Sequence, residues 1–252
     1  MTTDTARLAD VCAAALADLY LGDGEILANP IGTLPRIGGE LARATSEPDL
    51  MMTDGGARLV TQPDADGHVA TELYNPYRSM FDIVWWGRRH VVMGASQLDS
   101  YGNQNLAAIG DDYQRPVRQL IGFRGAPSNT VHNTTSYWIP RQSAKVLVPS
   151  VDVVTGIGWD RAREAGIDDR VEIRRVVTNL AVLDFATADR RMRLASVHPG
   201  VDVPDVVAAT GFELVIGSDV PTTRTPSIHE LELLDTVIDR DGARFREVPD
   251  RD

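Results

Sequence analysis

Cysteine is almost missing from this chain. Cys12 is the only one, so no intramolecular disulfide can form, which suits a reducing cytoplasm. Lysine is almost missing too. Lys145 stands alone among basic residues that are otherwise arginine, which excludes a Gly-x-x-x-x-Gly-Lys phosphate loop and every Schiff-base lysine but itself. No apolar run approaches the roughly 18 residues a membrane helix needs, and Met1-Thr2-Thr3-Asp4 is polar without a basic stretch, so neither a span nor a targeting segment is expected. Positive charge is in deficit: the formal net charge is −11. A surface this acidic repels phosphate backbones and argues against nucleic acid as a partner. An anionic ligand would have to be held by local arginines.

What is present describes a packed protein. Of 252 residues, 43% are hydrophobic and 24% charged, which excludes wholesale disorder and fits one α/β domain over residues 1–252, with a charged tail from about 240 expected to fray. Apolar residues at helical spacing predict a helix over residues 5–21, capped by Asp4 and ended by Gly22. A second helix is expected to be capped by Thr33, with Pro35 in its first turn. Short strands are expected at 49–53, 89–94, 145–148, 151–154, within 171–185, and at 193–197. Helices are expected at 204–210 and 227–238, and the type of the apolar stretch 79–86 is open. Strands alternating with helices argue a three-layer α/β/α open sheet.

Common catalytic signatures fail. No two of His68, His90, His132, His198 and His229 share helical i, i+4 spacing, so no protein-built metal site is expected. Gly94-Ala95-Ser96-Gln97-Leu98 lacks the closing glycine of a nucleophile elbow. Gly156-Ile157-Gly158 follows an apolar run as a dinucleotide fingerprint would, but Arg161 replaces the third glycine, so the segment reads as a turn. Ser/His/Asp combinations from distant residues can be assembled in almost any chain and carry little weight.

Three polar or glycine-rich turns follow apolar strands: Thr53-Asp54-Gly55-Gly56, the segment from Gly94 to Asn105, and the segment from Gly122 to Asn129. Ligands of open α/β sheets sit beyond the carboxyl ends of strands. If the turns meet there, they form a cleft; otherwise they are ordinary loops.

Those turns resemble the beta subunit of the class I coenzyme A transferases. In that family an apolar strand ends in Ser-Glu-x-Gly, whose glutamate is the nucleophile; here Thr53-Asp54-Gly55-Gly56 takes its place. The family's Gly-Ala-x-Gln-x-Asp-x-x-Gly-Asn segment is matched by Gly94, Ala95, Gln97, Asp99, Gly102 and Asn103. Its glycine-run oxyanion loop is matched from Gly122 through Gly125 and Ala126 to Asn129, and His198-Pro199-Gly200 and Thr210-Gly211-Phe212 continue the likeness. The resemblance implies the NagB/RpiA-like sheet of that family, with Gln97, Asn103, Gly122, Arg124, Gly125, Ala126 and Asn129 as substrate- or CoA-binding residues, no permanently bound cofactor, no metal, and coenzyme A arriving as part of the substrate.

Two departures matter. Asp54 is one methylene shorter than glutamate, about 1.5 Å of reach, and a misplacement of about 1 Å costs on the order of a hundredfold in rate. Asp54 is a poor transferase nucleophile; a turn aspartate bonding local N–H groups is the plainer reading. Arg124 enters the glycine run and offers a fork that pairs with carboxylates or a CoA phosphate, unless it makes a surface ion pair. This combination resembles the branch of steroid-ring hydrolases of actinobacterial cholesterol catabolism. That likeness implies an α/β heteromer, as a heterodimer or α2β2, that opens the last ring of a cyclic β-keto acyl-CoA by adding water, with the general base on the alpha chain. A CoA transferase using Asp54, and a chain that only completes its partner's site, are the alternatives.

Overall fold

The computed structural model describes residues 6–56 and 58–249. Ten strands form one mixed sheet in the order β14-β13-β12-β11-β10-β5-β1-β2-β3-β4. Its centre is parallel: β2 (Met51–Thr53), β1 (Leu27–Pro30), β5 (Arg89–Met93), β10 (Thr134–Ile139) and β11 (Ile173–Thr178) run in one direction. One side continues through β3 (Arg58–Val60) and β4 (Thr71–Tyr74), the other through β12 (Ala181–Asp184), β13 (Arg193–Val197) and β14 (Val215–Ile216). The short ribbons β6 (Gln97–Leu98) with β7 (Gln104–Asn105), and β8 (Ala108–Ile109) with β9 (Arg118–Gln119), stand outside the sheet.

The central strands are largely buried on both faces because both are covered. Side chains alternate along a strand. Ala28, Met52, Val92, Trp138 and Val177 enter the core beneath α1 (Leu8–Ala17) and α2 (Thr33–Ala44), while Val91, Met93, Tyr137, Ile139 and Val176 enter the opposite core, which includes α5 (Trp159–Glu164) and α6 (Val203–Ala208). The three-layer α/β/α expectation is met. A Cβ on Gly38 would lie 2.5 Å from the Cβ of Leu16, so α1 and α2 approach as closely as they do because position 38 has none.

Local expectations met different fates. The expected Asp4 cap lies outside the described residues. Thr33 is the first helical residue rather than the cap; Gly32 occupies that place at φ 124°, which glycine adopts freely. The segments 145–148 and 151–154 are not strands. Leu147 makes one isolated bridge to Leu98, and the segment is apolar because it is buried under the second core. The stretch 79–86 belongs to a helix, α3 (Tyr77–Trp86). β10 and α4 (Ala126–His132) were not anticipated. The last expected helix is α7 (Ile228–Leu233) followed by a π-helical turn, Leu234–Ile238.

Nor does the tail fray at 240. It forms α8 (Ala243–Glu247), pinned by Arg244, which is 1% exposed and pairs with Asp10 at 2.6 Å, Asp239 at 3.0 Å and also Asp235. No described helix is long and apolar enough to cross a membrane.

Candidate active site

A cleft of about 470 Å³ opens where β1 and β5 end. Its walls are Ile31 after β1, Gly94-Ala95-Ser96 after β5, Leu106, Ile121, the loop from Phe123 to Ala126, and Val84 of α3. Helices α3 and α4 are tied by Asn133, whose Nδ2 donates to the Val84 carbonyl at 3.0 Å. The second and third of the sequence's three turns therefore meet. The first joins them indirectly, through a polar lane across the sheet.

That lane ends in Arg89. The β-strand alternation puts Arg89 on the same face as Val91 and Met93, so its side chain projects beneath α4 into the cleft floor, where it is 4% exposed. Its Nη1 donates to Asn29 Oδ1 at 2.7 Å, and its Nη2 donates to Asn129 Oδ1. Asn29 Nδ2 donates onward to Thr53 Oγ1 at 3.0 Å, which also receives the Gly55 N–H at 3.2 Å. Every partner in the lane is neutral. Burial alone pulls the Arg89 pKa down to about 10, so the group is still a cation at neutral pH. Its Nε has no partner among the described residues.

The Gly122–Asn129 segment forms the opposite wall. Gly122 has φ 88° and Arg124 φ 48°. A non-glycine residue in the left-handed region costs on the order of 1–2 kcal/mol, and Arg124 is held there by the loop path. The Gly122 N–H is spent on the Leu106 carbonyl at 3.0 Å and the Ala126 N–H on the Phe123 carbonyl at 3.1 Å. Gly125 lines the cleft and accepts from the Asn129 N–H at 3.0 Å, setting the first turn of α4. The Arg124 guanidinium is exposed at the rim and makes no ion pair among the described residues, so the surface salt bridge that was its alternative is not formed.

Asp54 turns back on its own loop. Its Oδ1 accepts from the Gly56 N–H at 2.8 Å and the Arg58 N–H at 3.2 Å, and it does not line the cleft. Gly55, at φ 82°, lets this turn press on the end of β1; a Cβ there would meet the Pro30 carbonyl oxygen at 2.9 Å. Gln97 and Asn103 also lie apart from the cleft, buried in the loop scaffold. Gln97 Oε1 accepts from Asn105 Nδ2 at 2.7 Å and the Asp152 N–H at 2.9 Å. Asn103 Oδ1 accepts from the Gly158 N–H at 2.7 Å while its Nδ2 donates to Asp99 and Asp160.

A Ser–His–Asp series does form, at the wrong end of the sheet. His90 Nδ1 lies 2.7 Å from Asp23 Oδ2 and Nε2 lies 2.9 Å from Ser136 Oγ. His90 and Ser136 are fully buried, so no substrate can reach them. Burial lowers the His90 pKa against the opposing pull of Asp23, which leaves the ring neutral at pH 7. The trio is a packing device. Asp64, Asp66 and His68 also come together, but all are exposed, and Asp64 Oδ1 accepts the 66 and 68 backbone N–H groups as a turn residue does.

Arg89 and Asn29 escaped the sequence reading, and Thr53 entered it only as the start of the first turn. The available signal was phase: Arg89 stands at i−2 and i−4 from Val91 and Met93, so the strand that buries those residues must bury a charge with them.

The sequence model of the family described as Coenzyme A transferase matches residues 86–209. The chain is 46% identical, over 95% of both chains, to a Rhodococcus jostii protein named cholesterol ring-cleaving hydrolase IpdB subunit. It is 44% identical to the Mycobacterium tuberculosis protein of the same name, over 95% of this chain and 98% of that one. Among solved structures, Rhodococcus jostii IpdAB superposes with a TM-score of 0.91 at 44% identity, covering 97% of this chain and 99% of that chain. Near-complete coverage at this identity, over the same order of motifs, leaves one assignment: the chain belongs to the class I coenzyme A transferase family, as a beta-type subunit.

Proposed function

We propose that this chain is the beta subunit of a cytoplasmic heteromeric hydrolase that opens the last ring of a cholesterol-derived cyclic β-keto acyl-CoA. The names of its near-full-length relatives support the substrate class and an IpdA-like alpha partner. The observation that carries the reading is Asp54: a transferase needs a carboxylate aimed at the thioester, whereas this one is bonded to its own turn outside the cleft.

Water adds to the ring ketone, the bond from that carbon to the α-carbon breaks, and the electron pair passes into the thioester enolate, which then takes a proton. The ketone carbon becomes a carboxylate. This chain supplies the apolar cleft for the ring and a rim guanidinium, Arg124, for an acidic group of the substrate or a CoA phosphate. The general base comes from the alpha chain, and coenzyme A enters only as part of the substrate. Exposed apolar side chains support the partner: Ile121 on the cleft wall is 64% exposed and Trp86 at the end of α3 is 81% exposed, whereas Tyr137 and Trp138 are core.

The test uses the complex co-expressed with its alpha chain. In 18O-water the ring substrate should yield one labelled oxygen in the new carboxylate, and Asp54→Asn should keep turnover within about threefold of the parent. A hydroxylamine-sensitive adduct on Asp54, with turnover abolished in Asp54→Asn, overturns the reading in favour of a transferase.

A further inference from the structure

Several buried or half-buried arginines of this molecule have a countercharge. Arg244 is buried against three aspartates, Arg174 pairs with Asp23 and Glu172, and Arg224 pairs with Asp18 and Glu230. Arg43, buried without a close ion pair, still feels Glu40 and Glu72. Arg89 is more buried than Arg174 or Arg224 and has none among the described residues: its two side-chain partners are the amide oxygens of Asn29 and Asn129. A guanidinium carries five N–H donors. Two are spent, and Nε is buried without a partner among the described residues.

The surroundings orient this cation without neutralising it. Asn29 commits its Nδ2 to Thr53 at 3.0 Å, so its oxygen must face Arg89. Asn129 is fixed in α4 and likewise offers oxygen. Acceptors on two sides set the plane of the fork, as substrate-binding arginines require. Holding a buried charge unpaired is costly. The cost is recovered when an anion enters the cleft. Depth selects the kind of anion: Arg89, 4% exposed, is a deep residue of the cleft lining, whereas a bulky phosphate meets the exposed Arg124 first.

We propose that Arg89 is the receptor for the carboxylate that ring opening creates, and for the oxyanion that precedes it. The inference rests on the reading given under Proposed function. The ring ketone is neutral when it binds. Water addition puts negative charge on its oxygen, and once the carbon–carbon bond has broken that charge is shared by the two oxygens of the new carboxylate. An unneutralised cation held at that spot gains most in the transition state and product, so it accelerates the reaction more than it tightens substrate binding.

The test has a binding arm and a kinetic arm, both on the α/β complex. ω-Carboxyacyl-CoA thioesters of three to six carbons are titrated against their ω-amide counterparts. The parent complex should prefer the best-fitting carboxylate at least tenfold, Arg191→Ala, outside the cleft, should keep that preference, and Arg89→Met should abolish it. With the ring substrate, Arg89→Met should lose about a hundredfold or more in kcat, with KM changed under threefold. It should assemble and melt no lower than the parent, because it removes an uncompensated charge. If it does not assemble, Arg89→Lys decides: a preference reduced in Lys and intact in Arg191→Ala supports the receptor, and one unchanged in Lys overturns it. Equal binding of carboxylate and amide by the parent overturns it as well, as when a partner carboxylate already occupies the fork. The two readings fail separately. Labelled-water turnover without the preference sinks the receptor alone, and the preference without ring opening sinks the hydrolase alone.

Discussion

Arg89 and Asn29 face each other across β5 and β1 through a 2.7 Å bond between a buried cation and a neutral amide oxygen. The pair connects two parts of the family motif that are distant in sequence. Through Asn29 and Thr53 it reaches the Asp54 turn, and through Asn129 it reaches the glycine-run loop.

Asn29→Leu should therefore destabilise the protein by about 2–3 kcal/mol, because a hydrogen bond to a charged group is lost and the charge stays buried. Urea unfolding measures it. In Arg89→Met the same change should cost at least about 1 kcal/mol less, since there is no charge left to strand. Additive effects would show that the two side chains are not coupled.

Gly158 is predicted to be irreplaceable for a reason unrelated to nucleotides. A Cβ there would lie 2.4 Å from the Tyr101 carbonyl oxygen and 2.6 Å from the Asn103 nitrogen, both backbone atoms. Gly158→Ala should cost about 2–4 kcal/mol, with thermal unfolding as the measure. A shift in melting temperature no larger than that of a surface alanine would contradict the packing described.

The blind-ended trio sets a pH dependence. Burial keeps the His90 pKa below the ordinary 6.5 in the folded protein. The unfolded chain takes up this proton near pH 6.5 and the folded chain only at lower pH, so the unfolded state binds more protons between the two values and stability falls as pH falls through that window. Asp23 acts in the same direction at more acidic pH: burial works to raise its pKa, but bonds from His90 and Arg174 outweigh that and hold it below the usual carboxylate value. Melting temperature should drop from pH 7.5 to pH 5, and His90→Gln should flatten the upper part of that drop. An unchanged slope in His90→Gln assigns the effect elsewhere.

Arg244→Met strands Asp10 and Asp239, which are themselves buried. Breaking such a cluster from one side costs about 3–5 kcal/mol. Hydrogen exchange should accelerate first in α8 and the first turn of α1, the two ends that Arg244 joins. Uniform acceleration over the whole sheet would mean that the clip is no weaker than the core.

The contrast between what could and could not be read beforehand follows burial. β5 was legible because Val91, Val92 and Met93 are apolar on both faces. β10, its neighbour, was not, because Thr134, Thr135 and Ser136 look like loop residues until they are placed between two layers. The 145–154 stretch misled in the opposite way: Leu147 and Val151 are buried as parts of a covering loop rather than as a strand. At the site, the motif from Phe123 to Asn129 pointed to the cleft wall, whereas Gln97 and Asn103 proved to hold the loops behind it. Arg89 was missed because a charge inside an apolar strand reads as an interruption until the face it shares is known.

Arg124 occupies a backbone region that suits glycine. At φ 48° it holds a conformation that glycine adopts without strain. Exchange for glycine would therefore relieve the chain locally and remove only the charge, so the anion contact at this rim can be deleted by one substitution while the cleft keeps its shape.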